Sequence, residues 1–172
     1  MTTPPARFDP RSAIRRDARG RWYDGAAPID HERIERAFAR WVDVADDGRF
    51  ILRNSVSWAY VEIEGPPIFA ESARFEAGAL VLALSDGTEE PLAPSTLRAD
   101  PDGRLYCDVH AGRLTAGLST AAATALGEVL VERVEGTVAR IGGGDWLIET
   151  RSDALATGRR APSLLGEEGL TR

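Results

Sequence analysis

Apolar residues recur at Ile34, Ala37, Phe38, Trp41 and Val42, spaced i, i+3, i+4, i+7 and i+8, with Glu32, Arg33, Glu35, Arg36 and Arg40 between them. That spacing predicts a helix that covers something with one face only. Its expected N-cap is Asp30, whose short carboxylate can accept from the first free N–H groups. Ahead of it, "RWYD" before Gly25 reads as a short strand closed by an Asp-Gly turn, with Pro28-Ile29 leading into the helix. After it the period changes from helical to two. "DDGRFILR" and "VSWAYVEIEG" are expected strands, the second alternating through Val56, Trp58 and Tyr60 until Gly65-Pro66-Pro67 stops it.

From Ile68 onward strand follows strand. "ARFEAG" and "ALVLALS" join near Gly78, "TEEPLAP" follows the Asp86-Gly87 turn, "RLYCDVHAG" follows Asp102-Gly103, and "RLTAGL" follows Gly112. A second helix is expected to start at Ser119 or Thr120, with Ala122, Leu126, Val129 and Leu130 on one face. "TVARIGGGDWLIE" then reads as a closing hairpin with Gly142, Gly143 and Gly144 at its turn.

Two parts of the chain rhyme. Asp24-Gly25 is followed by Pro28-Ile29 and later "DGRFIL", and Asp86-Gly87 by Pro91-Leu92 and later "DGRLYC". The pattern predicts an α+β fold of two related halves with mostly antiparallel sheets, residues 14–67 and 68–150. These would be flanked by a flexible arm at 1–13 and a loosely held tail at 151–172.

Charge narrows the partners. The 172-residue chain carries −6 overall, which argues against general nucleic-acid binding, since phosphate neutralisation supplies most of that affinity. The exception is residues 7–21, where Arg7, Arg11, Arg15, Arg16, Arg19 and Arg21 face only Asp9 and Asp17. No lysine occurs, so mechanisms built on a phosphate-loop or Schiff-base lysine are excluded. No stretch approaches the ~20 apolar residues of a membrane span. One cysteine, Cys107, fits a reducing compartment, and the chain reads as cytoplasmic.

No constellation reads as catalytic. His31 and His110 are the only histidines, one in the first turn of an exposed helix face and the other at a strand end. Asp43, Asp46 and Asp47 lack the alternating spacing of a calcium loop, and the triple glycine precedes a strand where a phosphate loop needs a helix. No metal cluster and no cofactor are expected. Trp22, Trp41, Trp58 and Trp146 are expected in the core. Candidate ligand contacts are Arg15, Arg16 and Arg21, which could fork onto a phosphate, and Trp22 and Trp58, which could stack on a ring.

"RDARGRWYDGAAPI", the helix after it, "DGRFIL", "VSWAYVEIEGPPIFA", "LYCDVHAG" and "RIGGGDWLIE" together resemble, in order and spacing, the bacterial DUF1285 family of unknown function. The resemblance runs from about Ile14 to Glu149. It implies a duplicated α+β architecture, a second half like a pleckstrin-homology barrel with one helix, a nucleotide-like ligand between the halves, and a signalling role. Two stretches depart from the family pattern: Asn54-Ser55-Val56-Ser57-Trp58, where the family has a Thr-Pro-Val-Glu-Lys segment, and Thr120 and Thr124, where its second helix has arginine and tyrosine. The function expected is a non-enzymatic ligand-binding or regulatory module for a small anionic or nucleotide-like ligand, with a protein-interaction module as the alternative and a hydrolase the weakest reading.

Overall fold

The computed structural model describes residues 12–155; the expected arm lies almost wholly, and the expected tail mostly, outside them. Ile14–Arg16 (β1), Trp22–Asp24 (β2) and Ala27–Pro28 (β3) form two successive hairpins, followed by helix Glu32–Trp41 (α1). Val42–Val44 (β4), Phe50–Arg53 (β5) and Trp58–Tyr60 (β6) make an antiparallel meander. Glu62–Ile63 (β7) continues β6 beyond Val61, but pairs in parallel with β1. The single strand expected here is therefore one bent strand serving two neighbours, with the Val61 N–H still donating to the Phe50 carbonyl at 3.1 Å.

The second half repeats this plan. Ile68–Glu76 (β8), Ala79–Leu84 (β9) and Glu89–Pro91 (β10) form two hairpins, a single 3₁₀ turn at Pro94–Thr96 replaces the helix, and Arg98–Ala99 (β11), Leu105–Val109 (β12) and Leu114–Leu118 (β13) make the meander. Here too the last strand pairs in parallel with the first, Ala116 opposite Ile68. Taking β6 and β7 as one strand, both halves run in the spatial order third, second, first, sixth, fifth, fourth. Corresponding turns close alike. Ala45 N–H donates to the Arg49 carbonyl at 2.8 Å and Asp100 N–H to that of Arg104 at 2.9 Å, and Gly48 and Gly103 hold φ of +85° and +80°, which glycine adopts without a Cβ penalty.

Thr120–Gly127 (α2) follows, then Leu130–Arg133 (β14), Gly136–Ile141 (β15) and Gly144–Leu147 (β16) as a three-stranded sheet, and Glu149–Thr150 (β17) adds to the edge at β11. The ladders stay open: among the described residues no sheet closes into the barrel that the resemblance implies. No described helix is long and apolar enough to cross a membrane.

Local chemistry explains where the elements differ from expectation. The first turn of α1 closes on the His31 carbonyl, which accepts from Ile34 and Glu35, so the cap falls one residue after Asp30 and no side chain caps it. Val42 already belongs to β4, and Leu130 to β14 rather than to α2, which stops at Gly127. Ser119 caps α2, its hydroxyl accepting from the Ala122 N–H at 3.2 Å.

The larger core joins Ile68, Leu80, Leu82, Cys107, Val109, Ala122, Leu126 and Ile141; the smaller gathers Trp22, Val42, Leu52 and Val61. Phe50 packs against both, so the halves share a continuous interior. Of the four tryptophans only Trp22 is buried. Trp41 and Trp58 are half-buried, and Trp146 is 36% exposed because β16 is the edge of an open sheet.

Candidate functional site

Alternation along β1 separates the arginines the sequence put together. Arg15 lies opposite Tyr23 across the hairpin, its guanidinium 4.2 Å from that ring, and its Nε donates to the Gly25 carbonyl at 3.3 Å. Arg16 points to the other face and is 4% exposed. Its Nη1 donates to the Pro67 carbonyl at 3.0 Å and its Nη2 to that of Pro66, so a side chain of the first strand clamps the linker between the halves. Trp22 is 3% exposed beneath α1, edge-on to Phe38 at 5.2 Å, with no face open to a stacked ring. Arg21 is exposed on the β1–β2 turn, where its N–H donates to Asp17 at 2.9 Å. Trp58 stands against Tyr60 on the β4–β5–β6 sheet. Of the five candidates only Arg16 and Trp22 meet, the guanidinium 5.5 Å from the ring, and Arg15, Arg21 and Trp58 lie elsewhere.

What the seam offers instead is a groove of about 740 Å³ with walls from both halves. The β1–β2 turn at Ala18 and the linker at Gly65-Pro66 form one side; Phe69, Tyr106 and the first turns of α2, through Thr120 and Thr124, form the other. Close approach depends on Gly117 in β13, where a Cβ would come within 2.8 Å of Pro66 Cγ. Tyr106 is 3% exposed, its hydroxyl donates to Asp100 at 3.2 Å, and burial pushes its phenol above the usual range. Arg104 is the one charged side chain among the described residues lining the groove, and its ion pairs to Asp100 and Asp102 are long, 3.9 and 3.7 Å.

The positions that depart from the family pattern divide. Thr120 and Thr124 line the groove, whereas Ser57 and Trp58 sit at the β5–β6 turn, which Asn54 Oδ1 pins by accepting from the Val56 and Ser57 N–H groups. Arg104 and Tyr106 were not anticipated as site residues. The signal was present in "DGRLYC", which places an arginine and a tyrosine two residues apart just after a glycine turn.

His110 is held tightly. Its Nε2 lies 2.7 Å from Asp86 and its Nδ1 3.1 Å from Glu90, while its own N–H donates to Glu90 and its φ is +53°. His31 is exposed at the start of α1. A second buried cation, Arg98, donates to the Ala154 and Thr96 carbonyls and to the Thr115 hydroxyl, and pairs with Asp108 at 2.9 Å without hydrogen-bond alignment. It draws residues 151–154 against the sheet, leaving Ala154 1% exposed. Among the described residues no group of histidine, cysteine and carboxylate side chains could hold a metal ion.

Two tandem six-stranded units of one connectivity, sharing an interior and a seam groove, define a duplicated α+β fold. No protein-family model and no curated protein matches the chain. Among solved structures, a DUF1285 family protein from Silicibacter pomeroyi DSS-3 shares the fold with a TM-score of 0.64 at 18% identity, covering 82% of this chain and 81% of that one. A second, from Shewanella baltica OS155, does so with a TM-score of 0.53 at 19% identity, covering 66% of this chain and 88% of that one. The chain thus has the fold of DUF1285 family proteins, as the order of its motifs implied.

Proposed function

We propose that the protein is a non-enzymatic regulatory module of the cytoplasm that takes a small anionic, nucleotide-like ligand in the seam groove. One observation carries this reading: in a chain of net charge −6, a groove of about 740 Å³ is lined by both halves, and its one charged lining residue among the described residues is Arg104. Its volume falls in the range of small-molecule sites. Arg104 would meet the anionic group with its guanidinium fork and Thr120 would supply a hydroxyl, while the Thr124 hydroxyl, which donates to the Thr120 carbonyl at 2.8 Å, would offer only its lone pairs. Both ring nitrogens of His110 are engaged by carboxylates and its side chain does not line the groove, which favours binding over hydrolysis there.

Thermal shift followed by isothermal titration against a nucleotide panel tests the proposal. A ligand that binds only the folded state raises its Tm. Arg104→Ala should weaken binding about tenfold, the worth of one charge-assisted hydrogen bond, and Ala123→Trp, which fills the groove, should abolish it. A panel that leaves Tm unmoved, or binding indifferent to both substitutions, rejects it. A protein partner is the second reading, favoured by Val134 in the β14–β15 turn and Trp146 and Leu147 on β16, 106%, 36% and 46% exposed.

A further inference from the structure

Across the β1–β2 turn from the groove lies a smaller cleft of about 480 Å³, also between the halves and meeting the groove at Phe69. Arg16 lines it from inside the protein, and Arg19, Arg36 and Ser85 line it from the rim. Arg16 is a buried cation with no carboxylate in ion-pair reach among the described residues. Two of its donors are satisfied by the Pro66 and Pro67 carbonyls, and the rings of Trp22 and Phe69 lie 5.5 and 5.2 Å from it. Its Nε–H is sealed from solvent and has no acceptor among the described residues, so it reports on the guanidinium without itself meeting a ligand. Asp17 next to it offsets part of its charge, but burial outweighs that and lowers the guanidinium to about 10, a cost that an anion at its exposed edge in the cleft would reduce further.

The rest of the cleft offers donors. Arg19 is exposed and makes no ion pair among the described residues. Ser85 Oγ accepts from the Phe69 N–H at 3.0 Å and so keeps its own proton to give. Arg36 is committed to Glu32. Glu35 and Glu71 also line the cleft, and they oppose an anion without reaching Arg16.

We propose that this cleft is an oxyanion site, in which a carboxylate or phosphate group of a small molecule seats between Arg16, Arg19 and the Ser85 hydroxyl. It stands apart from the groove, and its occupant need carry no ring. The measurement is the Arg16 Nε–Hε resonance in ¹⁵N NMR of the full chain, titrated with inorganic phosphate in one arm and acetate in the other; the arm that saturates identifies the group. The expected result is a saturable shift, with Arg19→Ala raising Kd about fivefold and Glu71→Gln lowering it about twofold, as loss of a favourable and of an opposing charge requires. Both substitutions are at the surface and keep the fold. No saturation by either anion up to about 50 mM, well above a Kd of a few mM, overturns the proposal, as does a Kd unchanged in Arg19→Ala.

Discussion

Gly117 carries more of the architecture than its size suggests. Its bare backbone lets Pro66 lie against β13, and Gly117→Ala should cost about 1–3 kcal/mol, the usual range for overpacking, read as a lower urea midpoint. Asp86 gives a pH signature. Burial alone would raise its carboxyl, but the Thr88 hydroxyl and N–H and the His110 ring outweigh that and hold it below the usual range. A depressed folded-state value contributes stability that is full above the unfolded-state value near 4 and is lost as pH falls below that through the folded-state value. The stability gap between wild type and Asp86→Asn, measured by urea unfolding, should therefore be widest near neutrality and narrow below about pH 4. Cys107 is fully buried, and burial pushes its thiol up to about 12. A thiol reagent at pH 8 should label it only as fast as the sheet opens, so labelling should accelerate with sub-denaturing urea; prompt labelling in native buffer would contradict the burial.

Among the elements, α1 shows how far pattern reaches. The apolar stripe correctly marked a one-faced helix, yet none of its residues is fully buried, because the helix lies on Trp22 and Phe50 rather than between layers. Phe38→Ala should accordingly cost about 2–3 kcal/mol, below the usual ~3–5 kcal/mol of a fully buried aromatic truncation, measured by chemical denaturation. The strands from Ile68 to Leu118 were legible because their alternation and glycine turns agree, as Leu80, Leu82 and Leu84 show on the buried face of β9. β14 was hidden because Val129 and Leu130 extend the helical spacing of α2 by chance, and only Gly127 marks the break. The bend at Val61 was unreadable for a different reason: period two continues through it, and what changes is the neighbour.

At the scale of the whole molecule, the duplication was visible in paired Asp-Gly turns, since turn chemistry is local. The seam was not, because which arginine is buried depends on the partner half: Arg15 and Arg16 are adjacent in sequence and opposite in fate. The parallel pairing at the centre of each half also sets an order of events. Arg16 must wait for Ile63, and Ile68 for Ala116, separations of 47 (63 − 16) and 48 (116 − 68) residues, whereas the hairpins beside them close locally. During synthesis, each sheet therefore stands with the inner edge of its first strand unpaired until its last strand emerges. For the second half that interval leaves the apolar start of β8, Ile68 to Ala70, without its β13 neighbour, an open edge of the kind other chains join. Translation pauses that expose β8 while β13 is still inside the ribosome should then raise aggregation of the nascent chain, while pauses after β13 has emerged should not.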